Sequence, residues 1–494
     1  ALAQTFTNPI IWEDLPDNEV HRVGSTFYMS ASSFHLSPGA PLLRSYDLVN
    51  WETIANSVPT LDWGSSYDLA NGQTAYVKGI WASTLKYRPQ DQKWYFLACV
   101  GFARTYVYVA SSPSGPWTQH ASIATCYYDA GFLFDDDGSV YVAYGNGEIR
   151  VARLSNDVKT QIETRLVFTK PSSISALEGS RMYKRGGNYY IFLTRPPDAQ
   201  YIIKSSSPWG PYEIRVLCDR IPLAGVPRAG APHQGSLVDT SNGDWYYMGF
   251  SDLYPGGRSP VLAPIRWNSD GFPSLVTVNN QWGSYPYPLA RRGVPSELGL
   301  DSFSGTSLRP LWSWNHNPVT SGFTVNNGLT LRTVTVTNDL YFARNTLTRR
   351  IRGPVGTGTA RIDFTNMADG DRVGLAAFRD NSGYIGIERT GNAYSLVFGT
   401  LGMTSAWTAG TGHTIRARVD NITFKQVWLR LRADVNPYAG GSGTFSYSTD
   451  GSAFRDLGSF VLNDVWNFFP GYRYGIFNYA TRSLGGSVRV VSFD

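Results

Sequence analysis

Gly187-Asn188-Tyr189-Tyr190-Ile191 sets a turn-former directly before a run of aromatic and β-branched residues. Such a run favours a strand, because large flat or branched side chains pack well on a pleated surface. The phrase recurs as Gly24 before Thr26-Phe27-Tyr28-Met29, Asp91 before Lys93-Trp94-Tyr95-Phe96, Gly138 before Ser139-Val140-Tyr141-Val142, and Gly243 before Asp244-Trp245-Tyr246-Tyr247. Tyrosines 28, 95, 141, 190 and 246 are separated by 67, 46, 49 and 56 residues. A second phrase, Ser111-Ser112-Pro113-Ser114-Gly115-Pro116-Trp117, returns 95 residues later as Ser206-Ser207-Pro208-Trp209-Gly210-Pro211-Tyr212, the interval that also separates Tyr95 from Tyr190. Five units of roughly 50 residues, each with room for three or four short strands, predict a five-bladed β-propeller. A single four-stranded sheet cannot bury both of its faces, whereas radial stacking buries them and the aromatics fill the gaps. On spacing alone, one or two β-sandwiches are the alternative.

The repeat is expected to end near Trp267, followed by a turn at Ser269-Asp270-Gly271. Residues 277–300 are rich in Asn, Gly, Pro and Tyr and read as a linker that wraps the body, since its aromatics need burial. From Asp301 the texture changes to alternation of apolar and polar residues. It is seen in Gly328-Leu329-Thr330-Leu331-Arg332-Thr333, Tyr384-Ile385-Gly386-Ile387-Glu388-Arg389, Thr414-Ile415-Arg416-Ala417-Arg418-Val419 and Ser487-Val488-Arg489-Val490-Val491. Period two argues half-buried antiparallel strands. The predicted fold is all-β: a propeller over 1–297, including the linker from about 277, and a jelly-roll-type β-sandwich over 298–494.

Composition agrees. Charged residues are 16% of the 494 and aromatics 14%, with 50 Gly; that mixture is poor for helix and rules out disorder or a coiled coil. The net charge of +5 comes without a basic block, which argues against a nucleic-acid partner. No run of 18 apolar residues exists to cross a membrane as a helix. Cys99, Cys126 and Cys218 allow at most one disulfide, with the pairing open. Ala1-Leu2-Ala3 before Gln4 resembles the end of a secretory leader, and Asn421-Ile422-Thr423 is a glycosylation sequon. A secreted, extracellular protein is therefore expected.

No HExxH, GxSxG or Walker phrase is present. What remains is carboxylates at blade starts. Asp17 lies eleven residues before Tyr28, while Asp129 and Glu178 each lie twelve before the tyrosine of their blade, 141 and 190. The first strand of each propeller blade lines the central channel, so the three acids would converge. The competing reading makes each a turn or N–H-capping acid. Asp135-Asp136-Asp137-Gly138 looks like a metal site, but Asp-Gly before a strand reads as a hairpin turn.

At this point the chain resembles glycoside hydrolase family 43. The resemblance rests on Asn8-Pro9 through Asp17, Phe27-Tyr28, Ser37-Pro38-Gly39, Asp47-Leu48-Val49-Asn50-Trp51, Gly79-Ile80-Trp81-Ala82, Asp129 before Phe134, Glu178-Gly179 and Gly257-Arg258-Ser259-Pro260. The tail is similar to the β-sandwich appended to the family's xylosidases and arabinofuranosidases, notably at Trp312-Ser313-Trp314-Asn315-His316-Asn317-Pro318 and Ala343-Arg344-Asn345-Thr346-Leu347. The resemblance implies a five-bladed propeller and hydrolysis with inversion. It makes Asp17 the general base, Glu178 the general acid, and Asp129 the residue that tunes and orients Glu178. Many relatives have Asp-Pro at the base; here it is Asp17-Asn18, which leaves Asp14 and Glu19 as alternatives.

The same resemblance makes Phe34 and Trp81 an apolar wall of the sugar site. It gives Arg258 contacts to sugar hydroxyls and acids, and puts His233 in the channel facing water or a structural calcium ion. Tyr128 is a rim candidate beside Asp129. Each of these five has a structural alternative, as core residue or ion-pair partner. No cofactor is required by this chemistry. The opening Phe27-Tyr28-Met29-Ser30-Ala31-Ser32-Ser33-Phe34 looks like the fungal debranching members. The expected activity is therefore an exo-acting α-L-arabinofuranosidase on arabinoxylan, with β-xylosidase, on xylo-oligosaccharides, or both as the alternative. A non-catalytic carbohydrate-binding propeller is the rival from another class, and the chain is expected to be a monomer.

Overall fold

A computed structural model describes residues 4–437 and 440–494; the leader-like Ala1-Leu2-Ala3 lies outside the described residues. Five four-stranded sheets follow one another along the chain. Their inner strands are Glu19–Val23, Thr84–Arg88, Gly131–Phe134, Glu178–Arg185 and His233–Asp239. The recurring aromatic phrases are the second strands: Thr26–Ser30, Lys93–Val100, Val140–Asn146, Asn188–Arg195 and Trp245–Asp252. Phe27, Phe96, Tyr190 and Tyr247 among them are fully buried between blades, which is why every unit carries the phrase. Ser269-Asp270-Gly271 does not end the repeat. It joins Arg258–Trp267 to a short fourth strand, Pro273–Leu275, that completes blade five. That edge strand has three residues and no aromatic, so it carries no repeat signal.

The ring closes without a strand shared between first and last blades. Ser236 Oγ accepts from Val20 N at 3.1 Å and donates to Asn18 O at 3.0 Å. The Asn8 side chain exchanges hydrogen bonds with the backbone of Leu262 at 2.8 and 2.9 Å. Thr5–Phe6 pairs with Tyr285–Pro286, and Trp282 and Tyr285 are buried, so the segment after blade five wraps the body. The Asp135–Gly138 segment is a turn, with Gly138 N donating to Asp135 O. Asp135 itself is buried and ties blade three to blade four through Lys184 and the Tyr189 hydroxyl.

The C-terminal module packs an eight-stranded sheet on a seven-stranded one. Two of the four alternating segments, 328–333 and 487–491, bury one face, and 384–387 is buried on both. Gly410–Val419 does neither: it is the outer strand of its sheet, and Ile415 and Val419 stay in contact with solvent. The inner edge of the eight-stranded sheet is supplied by the propeller, since Leu36–Ser37 pairs with Ser313–Asn315. The two modules therefore share a sheet. Helix is confined, among the described residues, to 3₁₀ turns of three or four residues. One disulfide forms, Cys99–Cys126, and Cys218 is a buried free thiol whose pKa burial pushes up to about 12.

The shared sheet brings His35 of the propeller against His316 of the sandwich, ring centroids 4.9 Å apart. Val77 N donates to His35 Nδ1 and Ala75 N donates to His316 Nε2, so both rings act as neutral acceptors. Burial pushes His35 down to about 3 and lowers His316 in the same direction. A histidine whose folded pKa lies below its unfolded value of about 6.5 leaves stability unchanged above that pH. As pH falls toward 3 the unfolded chain takes up protons that the folded protein refuses. His35 alone is expected to cost about 2 kcal/mol between pH 7.5 and pH 5. Chemical denaturation of wild type and His35→Gln at both pH values checks this: the variant loses less stability on acidification. Parallel losses would show that the ring is not held neutral.

Candidate active site

The first residue of an inner strand, or the one or two before it, faces the mouth of the channel. Asp17 and Asp129 reach their positions through left-handed backbone, with φ of 54° and 50°. Glu178 precedes Gly179, whose φ is 73°. Left-handed φ at non-glycine residues is uncommon and persists where surrounding contacts over-determine it. Blades four and five also slip register at their starts, between Glu178 and Arg181 and between His233 and Ser236. Such bulges re-aim side chains. As a result all eight sequence-predicted residues, Asp17, Phe34, Trp81, Tyr128, Asp129, Glu178, His233 and Arg258, line one cavity of about 670 Å³. That volume lies in the range of small-ligand sites. Asp14 and Glu19, the alternatives for the base, do not line it.

Asp17 is buried and accepts from Ser32 Oγ at 2.5 Å and from Arg258 Nη1 at 3.0 Å. Nε and Nη2 of Arg258 are buried with no partner among the described residues, and Phe34, Phe250 and Phe469 surround the guanidinium. These are the donors that a ligand hydroxyl would meet. Glu178 Oε2 accepts from Tyr128 Oη at 3.1 Å and Asn146 Nδ2 at 2.7 Å. With Oε2 accepting twice, a proton on this carboxyl belongs on Oε1. Withdrawal from water raises the Glu178 pKa, the Tyr128 hydrogen bond opposes this, and the charge of Asp17 adds to the rise.

Burial also raises Asp129 well above the usual carboxylate range, reinforced by Glu178 and Asp17. Arg181 and a hydrogen bond from Gly179 N pull the other way. Asp129 and Glu178 thus compete for protons, and the first cause of Glu178's raised pKa is burial rather than the charge of Asp129. Ser180 N donates to Asp129 O at 2.8 Å, which ties Asp129 to the start of the strand that carries Glu178. Burial keeps His233 neutral; its Nδ1 lies 3.0 Å from Ala231 O and its ring stands edge-on to Phe250 at 4.6 Å.

The other wall comes from the sandwich. Phe469, at φ 64°, stacks on Phe34 with centroids 5.6 Å apart and planes 9° apart, and leans on Trp81 at 5.6 Å. Trp466 follows at the rim. Asp14 fixes this wall: its carboxylate accepts from Arg258 N at 2.9 Å and from Gly471 N at 3.0 Å. A Cβ on Gly471 would meet Gly256 O at 2.3 Å, so only glycine allows this approach. On the propeller side, Cys99–Cys126 fastens the loop that carries Tyr128 and Asp129, and Phe102 stacks on Tyr128 at 5.8 Å.

Sequence reasoning missed Phe469, Trp466, Phe250, Asp252, Tyr254 and Asn146. Asn146 and Asp252 each end a blade's aromatic second strand, a phase that was readable. Phe469 and Trp466 sit in a loop of another module and carried no signal. Arg181 and Lys86 reach into the channel, and no group of three His, Cys, Asp or Glu side chains among the described residues could hold a metal.

The sequence profile described as Glycosyl hydrolases family 43 matches residues 6–273. The chain belongs to this family. A second profile, Beta xylosidase C-terminal Concanavalin A-like domain, matches residues 300–494. The family-43 chain is 45% identical to a solved glycoside hydrolase of the same family, with a TM-score of 0.96 over 99% of both chains. That protein is described as engineered at its active site to display both endo-xylanase and exo-arabinofuranosidase activity. A beta-xylosidase of Formosa agariphila is 26% identical over 98% of this chain and 89% of its own length. A non-reducing end alpha-L-arabinofuranosidase of Bacteroides ovatus is 26% identical over 81% of this chain and 79% of its own.

Proposed function

We propose that this family-43 glycosidase is a secreted, exo-acting, inverting α-L-arabinofuranosidase that removes arabinofuranosyl side chains from arabinoxylan. The observation that carries the reading is one cavity lined both by three carboxyls and by the stacked Phe34–Phe469–Trp81 faces. Aromatic faces pack against the C–H-rich side of a sugar while buried polar groups read its hydroxyls. The 45% identical relative, described with exo-arabinofuranosidase activity, supports the substrate class. The Cys99–Cys126 disulfide supports an oxidising compartment.

In this reading Asp17 takes a proton from water on one side of the anomeric carbon. Arg258 and Ser32 hold its carboxylate in place. Glu178 gives its proton from Oε1 to the departing glycosidic oxygen on the other side. Asp129, whose carbonyl accepts from Ser180 N, orients Glu178 and shares in its titration. Water attack opposite the leaving group inverts the anomeric centre. A β-xylosidase is the second reading, favoured by the similarity of both modules to the Formosa agariphila enzyme.

Proton NMR early in digestion of arabinoxylan tests both readings. Arabinose released first as the inverted β-anomer, with the xylan backbone intact, is the expected result. Xylose released from xylobiose in preference to arabinose would select the second reading. A retained anomer would overturn the assigned roles, because retention needs a covalent intermediate and carboxyls only about 5–5.5 Å apart.

A further inference from the structure

Arg181 belongs to the inner strand of blade four and is fully buried. Its guanidinium nevertheless bonds three other blades. Nη2 donates to Asp17 O at 2.6 Å, ahead of blade one; Nη1 donates to Ser83 O, ahead of blade two, and to Ala130 O at 2.9 Å, ahead of blade three. A side chain from blade four that reaches the entrances of blades one, two and three crosses the axis of the channel. Two of its three acceptors are the carbonyl of Asp17 and the carbonyl beside Asp129. Its own strand begins at Glu178, three residues earlier. The nearest carboxylate is Glu19, at 3.9 Å, and Glu19 is already paired with Lys86 at 2.8 Å. The guanidinium is therefore aimed at main-chain carbonyls rather than spent on an ion pair. A fully buried charge is costly unless its hydrogen bonds are met; here the blade entrances meet those of Nη1 and Nη2, while Nε has no partner among the described residues.

We propose that Arg181 is a positioning residue: a protein-borne cation on the propeller axis that holds the backbones of Asp17, Asp129 and Glu178 in fixed relation. This rests on the roles assigned to those three acids above. Arg181 does not line the cavity and touches no substrate. Its work needs the planar fork of arginine, which presents several donors in fixed directions, whereas lysine offers one flexible ammonium. Small displacements of reacting groups cost rate heavily, about 10²-fold for 1 Å, so the effect belongs in kcat.

The test compares wild type, Arg181→Lys, Arg181→Gln and Tyr183→Phe on an aryl α-L-arabinofuranoside and an aryl β-D-xyloside, with melting temperatures. Tyr183→Phe is the control: it removes a half-buried inter-blade bond, from Leu237 N to the tyrosine hydroxyl, that does not involve the acids. The expected result is a kcat about 30- to 100-fold lower for both Arg181 variants, with KM within about threefold. Tyr183→Phe should lower the melting temperature and leave kcat within about twofold. A folded Arg181 variant with near-wild-type kcat overturns the proposal. So does a kcat loss in Tyr183→Phe that matches its loss of stability. Failure of both Arg181 variants to fold would make the residue a structural requirement and also overturn it. Wild-type enzyme inactive on both glycosides would instead sink the functional reading, and the proposal with it.

Discussion

Glu178→Ala lowers kcat/KM on arabinoxylan by about 10²–10⁴-fold, the usual contribution of a positioned general acid, yet hydrolyses an aryl arabinofuranoside within about tenfold of wild type. The asymmetry follows from the leaving group. A sugar hydroxyl departs as a strong base and needs Glu178's proton, while an acidic phenol leaves without it. The structure adds a second signature. Tyr128 and Asn146 both donate to Glu178 Oε2, and burial raises the carboxyl's pKa. The wild-type alkaline limb on arabinoxylan should therefore lie above the ordinary carboxylate range and vanish in the variant on the aryl substrate. Steady-state kinetics on the two substrates across pH measure both effects. Equal losses on both substrates would remove Glu178 from the acid's role.

Asp17→Asn is expected to lose at least about 10³-fold on arabinoxylan and on the aryl glycoside alike. Water must be activated whatever departs, so leaving-group quality offers no rescue. The amide retains the size of the side chain and an oxygen to accept from Ser32 or Arg258, the two partners that hold the carboxylate. A melting temperature near wild type would accompany the loss. Substantial activity on either substrate would return the base to Asp14 or Glu19. The structure argues against both: Asp14 is committed to the backbone N–H groups of Arg258 and Gly471, and Glu19 to Lys86 and Leu85 N.

These two expectations rest on positions that could be read before any coordinates. Asp17, Asp129 and Glu178 stood at one phase of a repeat whose aromatic second strands were plain in the chain. A propeller turns that phase into a place, because equivalent inner-strand starts surround one axis. The same logic reaches Asn146 and Asp252, which end second strands at the channel mouth. It fails just past Trp267, where the repeat reads as ending before the turn at Ser269-Asp270-Gly271. The strand beyond it has three residues and no aromatic to announce it.

By itself the sequence determined what periodicity and composition control: an all-β chain, five blades followed by a sandwich, and the acids that meet at the axis. These are properties of local pattern, legible wherever side-chain alternation or a repeat interval survives. Only the tertiary structure decided how the modules meet and what that meeting does to the site. Leu36–Ser37 becomes the edge of the sandwich's sheet, Asp14 clasps Gly471, and Phe469 stacks on Phe34 to complete the aromatic wall. The partners Cys99 and Cys126, and the reach of Arg181 across the channel, were decided there too. Those contacts join residues up to 457 positions apart. Each is a single meeting of groups apart in the chain, strand edge on strand edge, ring on ring, thiol with thiol or side chain on backbone, and a contact of that kind leaves no period in the chain to be read.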